Sequence, residues 1–321
     1  MEIFNHNANV HFLGLRKISI GIAILLMIVS IALLATRSLN YGLDFTGGVS
    51  MEITYDNPVS VEDVRGALEK GGIENAVVQS VGGTRHVSIR FQPKDDKHYA
   101  LQEGKSPNLD LIANDVAKAV QAARSDARVA GKDYVGPQVG EQLRSDGVTA
   151  AIFVIIGIGI YLWIRFERRF AIAALATEVH DVLVTLGVIS LVQREFDLTV
   201  LASVLAVIGY SINDKVVVFD RIRELFRSSR KADPEEILNR SINSTLSRTI
   251  ITSLFTSIAM GALYFFGGPT VHGFAITMLI GILVGTLSSI FVASPILLWL
   301  GVSKKDLMPV SKENPELARR P

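Results

Sequence analysis

No cysteine occurs anywhere in the 321 residues, which excludes a disulfide-stapled scaffold, a zinc ribbon and a thiol nucleophile together. Charge is scarce as well: Asp, Glu, Lys and Arg make up 20% of the chain and leave a formal net charge of +1. A nucleic-acid binder carries a basic surplus on one face, so no nucleic-acid partner is expected. What is present instead is apolar surface. The hydrophobic set accounts for 49% of residues and the mean hydropathy is +0.36, too apolar for an ordinary soluble domain.

Six stretches are long enough to cross a hydrocarbon core, which takes about 20 mostly apolar residues. They run approximately Ile18–Thr36, Val148–Ile164, Phe170–Val192, Leu198–Phe219, Thr249–Phe266 and Phe274–Leu300. The first exceeds the roughly 7–15 apolar residues of a signal peptide and reads as an uncleaved span. Basic residues are retained on the cytoplasmic side. Arg16 and Lys17 precede span one; Arg165, Arg168 and Arg169 separate spans two and three; Arg221, Arg223, Arg227, Arg230 and Lys231 follow span four; Lys304 and Lys305 follow span six. This predicts a multi-pass membrane protein with both termini cytoplasmic, a cytoplasmic loop near residues 220–247, a cytoplasmic tail over 301–321 and a large loop on the opposite side.

Residues 38–147 read as that loop. Val49, Met51, Ile53 and Tyr55 alternate with Ser50, Glu52 and Thr54, the period of a half-buried strand. Ser60 and Asp63 form a capping box for a helix closed by Gly71 and Gly72. Val77–Val81 and His86–Phe91 read as a hairpin across Gly82-Gly83. A polar stretch over Pro93–Pro107 leads into a second helix from about Leu109 to Val129. The expected order, βαββα, makes a small α+β domain. It has no nucleotide loop, metal-ligand spacing or catalytic constellation, and reads either as a spacer or dimerisation module or as a sheet edge open to an extended peptide.

The chemistry lies in polar residues inside the spans. Span three holds Glu178, His180 and Asp181, span four holds Asp214 and Lys215, and Arg248 opens span five. An ionised group at mid-bilayer costs about 2.5–3.5 kcal/mol, so these groups must face one another or a wet cavity. Helical rise puts Glu178 and Asp181 roughly 12–17 Å from the cytoplasmic edge and Asp214 roughly 7–8 Å from it, with Arg248 reaching inward from the edge. An Asp214–Arg248 pair is therefore expected, with the span-three acids deeper; Lys215 can snorkel to the interface and take no part. The functional reading is a relay in which a carboxylate alternates between protonated and Arg-paired states; the structural alternative is a static ion pair fixing helix register. Gly157, Gly159, Gly281 and Gly285 permit close helix approach, chiefly within the chain's own bundle.

Other classes fit less well. A serine protease would pair Ser211 with His272, but Ser211 lies roughly 20 Å below the mouth of span four, where His272 sits, too far for a nucleophile and base. His180-Asp181 has no second histidine spaced to complete a metal site. A passive channel needs no buried carboxylate–arginine pair.

Gly42-Leu43-Asp44-Phe45-Thr46-Gly47-Gly48, Val135-Gly136-Pro137-Gln138-Val139-Gly140, His180-Asp181, the run from Gly209 through Asn213 and Asp214 to Glu224, and Ser247-Arg248-Thr249 together resemble, in order, the motifs of the SecF branch of the SecD/SecF protein-export family, within the resistance-nodulation-division superfamily. Lys215 departs from the small hydroxyl residue common there. The resemblance implies a non-enzymatic inner-membrane subunit that uses the proton-motive force, with no cofactor, to promote late steps of export of unfolded preprotein. It implies a SecD partner and association with the SecYEG channel, YajC and YidC, within membrane lipid. Asp214 is then the proton carrier and Arg248 its charge partner, with Asp181, Glu178 and His180 supporting. Gly42, Asp44, Gly47, Gly48 and Pro137 read as hinge and turn residues, and Gly209 and Asn213 as part of the span-four motif. Na⁺ in place of H⁺ stays open, as does a half-transporter for a lipid or small molecule.

Overall fold

The computed structural model describes residues 10–81, 83–93, 107–229 and 233–303. Arg230, Lys231, Lys304, Lys305, most of the polar stretch 93–107 and nearly all of the expected tail therefore lie outside the described residues. In chain order the elements are α1 (Arg16–Thr36), β1 (Asn40–Tyr41), α2 (Leu43–Thr46), β2 (Gly48–Thr54), α3 (Val61–Lys70), β3 (Val77–Ser80), β4 (His86–Phe91), α4 (Leu109–Ala123), β5 (Arg128–Val135), α5 (Pro137–Arg165), α6 (Arg168–Val192), β6 (Glu195–Phe196), α7 (Leu198–Ser228), α8 (Pro234–Phe266), α9 (Pro269–Ser288), a π-helical turn (Ser289–Ala293) and α10 (Ser294–Trp299).

Among the described residues, six helical spans are long and apolar enough to cross a membrane. Their helices outrun the apolar cores read from sequence: α5 begins at Pro137, eleven residues before Val148, and α7 and α8 extend through most of the expected loop 220–247. Burial divides the spans into two sets. The apolar windows of spans three, four and six are 56%, 50% and 56% buried, whereas those of spans one, two and five are each 11% buried. Small residues permit the tight contacts. A Cβ on Gly281 would lie 2.2 Å from Val207 Cγ2, one on Gly285 2.7 Å from Ser211 Oγ, and one on Gly187 2.3 Å from Ser30 Oγ, so span six packs against span four and span three against span one. Gly157 and Gly159 differ from expectation, since a Cβ there would meet nothing closer than Leu175 at 3.9 Å.

The extramembrane domain has one strand more than its hydrophobic pattern suggests. β2, β3, β4 and β5 form an antiparallel sheet in the order β3-β4-β2-β5, the split βαββαβ arrangement. Val49, Met51 and Ile53 on β2 meet Val64 and Leu68 of α3 and Ile112, Val116 and Val120 of α4 in one core. The second helix stops at Ala123, and Arg128–Val135, expected as helix end and linker, is an edge strand bonded to β2. Ser60 caps α3 by accepting from Glu62 N at 3.2 Å, one residue earlier than a capping box with Asp63 requires.

A polar collar joins this domain to the bundle. β1 pairs in parallel with β6, and Asp44 Oδ2 accepts from Leu198 N at 3.0 Å, capping span four from across the chain. Gly42 N donates to Phe196 O at 2.8 Å, and a Cβ on Gly42 would lie 3.0 Å from Glu195 Oε1. Arg90 on β4 is buried, donates to Tyr41 O at 2.9 Å and pairs with Glu195 Oε1 at 3.3 Å. Burial pushes the Glu195 carboxyl above its ordinary value, and Arg90 opposes that rise. Gly47 and Gly48 take φ of +66° and +117°, where side chains are strained. Backbone crosses backbone there: a Cβ on Gly47 would lie 2.9 Å from Pro137 Cα, and one on Gly140 2.9 Å from Gly47 N.

Gly47→Val should therefore cost on the order of 1–3 kcal/mol or more, read as a lowered thermal midpoint of the full chain. Gly66→Ala, on a helix where a Cβ meets nothing within 4 Å, should leave the midpoint unchanged or raise it slightly. A second test uses the Arg124–Asp126 clasp (2.7 and 2.9 Å), which holds the Asp126 carboxyl down at about 2. A depressed carboxyl stabilises the fold above its ordinary value of 3.8 and loses that contribution as pH falls towards 2. Asp126→Asn should flatten the acid limb of unfolding in that window.

Candidate functional site: a buried charge network

Lys215 is 0% exposed, which overturns the expectation that it snorkels to the interface. Its Nζ donates to Glu178 Oε2 at 2.6 Å, Asp181 Oδ2 at 2.8 Å and Ser211 Oγ at 2.8 Å, so all three ammonium protons are used. Helical periodicity explains the aim. Ser211 and Lys215 are one turn apart on α7, and Glu178 and Asp181 nearly one turn apart on α6, so two facing stripes meet. The depth estimate that set the span-three acids well below Asp214 is corrected accordingly. It took Phe219 as the edge of span four, whereas α7 continues to Ser228, and Glu178 lies within reach of Lys215.

Asp181 is the hub. His180 Nδ1, carrying its proton, donates to Oδ1 at 2.9 Å; Ser211 Oγ at 2.5 Å, Lys215 Nζ and, from span six, Ser288 Oγ at 2.7 Å all donate to Oδ2. Three of the four donors converge on Oδ2, while Oδ1 accepts from His180 alone among the described residues, so Asp181 is held by charge-assisted hydrogen bonds and binds three helices together. The backbone relaxes into its π-helical turn directly after Ser288, a distortion that often marks functional positions in helices. His180 Nε2 and Glu178 Oε1 are buried and have no hydrogen-bond partner among the described residues.

Asp214 differs from Asp181 in kind. It is 3% exposed, and its Oδ2 has no hydrogen-bond partner among the described residues. Arg248 and Lys215 are the cations whose fields reach it. The expected Asp214–Arg248 contact is not formed: no ion pair within 4.0 Å joins them, and Arg248 is exposed on α8. The pair stands apart, with one carboxylate oxygen free. Gly209 and Asn213 are exposed on a different face of α7, in line with Ala202 and Ala206. Gly42, Asp44, Gly47, Gly48 and Pro137 are gathered at the collar and take no part in the network.

Ser211 and Lys215 have the spacing of a nucleophile and lysine base, but a lysine that donates to two carboxylates holds its proton and cannot accept another. Ser211 is 1% exposed, and His272 packs at a tilt against Tyr264 instead, with ring centroids 5.0 Å apart. The arrangement can hold and redistribute charge; it cannot cleave a bond by this route. Sequence reasoning missed Lys215 as a core group and Ser288 as its outer support. The one-turn interval from Ser211 to Lys215 was the available signal for the first. Breaking a buried pair by removing one partner costs about 3–5 kcal/mol, so Asp181→Ala should sharply reduce the folded full chain in the membrane. Lys215→Met, which strips the cation from both Glu178 and Asp181, should accumulate no better than Asp181→Ala, which leaves Lys215 paired with Glu178, in the same quantitative immunoblot.

The model of the SecD/SecF protein export membrane protein C-terminal region matches residues 115–303, and the SecD/SecF GG motif matches residues 32–59, the stretch that holds the Gly47–Gly48 crossing. Protein translocase subunit SecF of Pseudomonas aeruginosa is 42% identical over 302 residues, covering 94% of this chain and 94% of that protein. The Vibrio alginolyticus and Escherichia coli O157:H7 proteins of the same description are each 40% identical, over 100% and 96% of this chain. The crystal structure of SecDF, a translocon-associated membrane protein from Thermus thermophilus, superposes with a TM-score of 0.81 at 33% identity over 92% of this chain, which spans 39% of that longer protein. A SecDF structure in a super-membrane-facing form gives 0.66 at the same identity and coverage. Extending over both ends of the fold, from the glycine crossing to the charged spans, these matches show that the chain belongs to the SecD/SecF family of protein-export membrane proteins.

Proposed function

We propose that this chain, paired with a SecD partner, uses the proton-motive force to promote late steps of preprotein export across the inner membrane, and that Asp214 is the group that takes up and releases the proton. The observation that carries the reading is the free, buried Oδ2 of Asp214 beside a cation that does not touch it. Charge count supports it. Asp181, Glu178 and Asp214 are three carboxylates facing two cations, Lys215 and Arg248, so one proton brings the cluster to balance. Asp181 is held by four donors and Glu178 by direct contact with Lys215 at 2.6 Å, whereas no cation among the described residues touches Asp214, which makes it the carboxylate freest to change partners. In the deprotonated state Arg248 is drawn towards it; protonation releases Arg248, and span five with it.

Motion at that level has a path outward. Helix α7 runs without a break from Asp214 to Leu198, the end that Asp44 caps, about 24 Å away. A shift there is delivered to the collar and to Arg90, and so to the domain that would handle preprotein. The exposed line of Ala202, Ala206, Gly209 and Asn213 suits close approach of a partner helix, and the SecYEG channel, YajC and YidC would complete the assembly. Basic residues at one end of the bundle orient both termini to the cytoplasm and the sheet domain to the periplasm. A potential of 100 mV supplies about 2.3 kcal/mol per charge moved across, which biases a cycle of this kind.

The test is preprotein translocation into vesicles carrying the full complex, with and without an imposed proton gradient. Asp214→Asn should lose the gradient-dependent component and keep the ATP-driven one, with normal assembly. Full gradient stimulation of that variant would remove Asp214 from the mechanism.

A further inference from the structure

The surroundings of Lys215 Nζ are those of a bound cation. Its three hydrogen-bond partners are Glu178 Oε2, Asp181 Oδ2 and Ser211 Oγ, at 2.6–2.8 Å. Ser288 Oγ stands on the same Asp181 oxygen at 2.7 Å, and the second Glu178 oxygen is buried and has no hydrogen-bond partner among the described residues. Two carboxylates and two hydroxyls from three helices, next to a π-helical turn, form an oxygen-lined pocket of the kind that holds hard cations and, in transporters, Na⁺ near the bilayer midplane.

We propose that the Lys215 ammonium is a tethered cation occupying a monovalent-cation site built by Glu178, Asp181, Ser211 and Ser288, and that its presence excludes Na⁺ from the bundle. Attached through the side chain to α7, the charge cannot dissociate. The site is therefore permanently filled, and no ion exchange takes place at it. Removing the ammonium while keeping a hydroxyl leaves the oxygens and their negative charge behind, an arrangement stable only if a cation enters or the carboxylates take up protons.

The experiment compares thermal unfolding of the purified full chain in NaCl and in choline chloride at equal ionic strength, with ²²Na⁺ equilibrium dialysis alongside. Wild type should melt at the same temperature in both salts and bind no Na⁺. Lys215→Ser should gain a saturable rise of about 2–4 °C in NaCl and bind about one Na⁺ per chain. Lys215→Met, whose thioether chain occupies the space without a ligand oxygen, should show neither. If Lys215→Ser does not accumulate, the double variant Lys215→Ser/Glu178→Gln, which leaves one carboxylate fewer unpaired, should show the same Na⁺ response at higher concentration. A Na⁺-dependent rise in wild type, or identical melting in both salts for the serine variants, would overturn the assignment. Binding and stability are read, not export, so the result stands apart from any role of Asp214 in coupling.

Discussion

An ammonium buried among helices must keep its carboxylates, and the packing of this protein's inner spans depends on that requirement. Lys215 on α7 ties Glu178 and Asp181 on α6, and Asp181 in turn holds Ser288 on span six. Slipping any of these helices by one turn would strand a charge in apolar surroundings, at a cost of several kcal/mol. Shape enforces the same register, since Gly281 and Gly285 leave room for Val207 and Ser211 only at their present heights. Spans three, four and six thus form one block. The helix of span five is joined to it by apolar packing of Ile237, Leu238 and Ile242 against Phe170, Phe219 and Ile222, by hydroxyl contacts, Tyr210 to Ser253 at 3.3 Å and Ser253 with Thr286 at 2.7 Å, and by the field between Arg248 and Asp214.

The block extends to the extramembrane domain through span four. Helix α7 is capped at one end by Asp44 and Asp197 and carries Asp214 and Lys215 on adjacent residues. Adjacent residues on a helix point about 100° apart, which separates a locked charge facing span three from a free one in the field of span five. Arg90 and Glu195 continue the connection into the sheet, and the Gly47–Pro137 crossing fixes where the chain leaves and rejoins the membrane.

Much of this was legible in the residues alone. Long apolar runs mark the six spans, and strict alternation marks β2. Edge strand β5 was not legible, because Arg128, Lys132 and Asp133 on an exposed edge carry no apolar period, and its pairing comes from β2 rather than from its own composition. Sequence also brought Asp181, Glu178, Asp214 and Arg248 into one neighbourhood, since charges in apolar helices must seek one another. It did not reveal which charge is locked and which is free. That distinction turns on Lys215, for which snorkelling and burial are equally available to a long side chain, and on Ser288, one hydroxyl in a helix of many small residues. Depth was misjudged for a related reason: hydropathy fades at Phe219, while the helix itself goes on to Ser228.

The central claim is that spans three, four and six move as one body while span five responds to the charge on Asp214. Because the chain has no native cysteine, spin labels can be placed without competing thiols. The direct measurement is pulsed electron resonance distances in the reconstituted complex for two introduced pairs, Arg227 with Leu287 across spans four and six, and Arg227 with Ile258 across spans four and five, all exposed positions outside the partner-facing line, each with Asp214 intact and with Asp214→Asn. An unchanged first distance and a shifted second one are the predicted result; a shift of equal size in both would contradict the account.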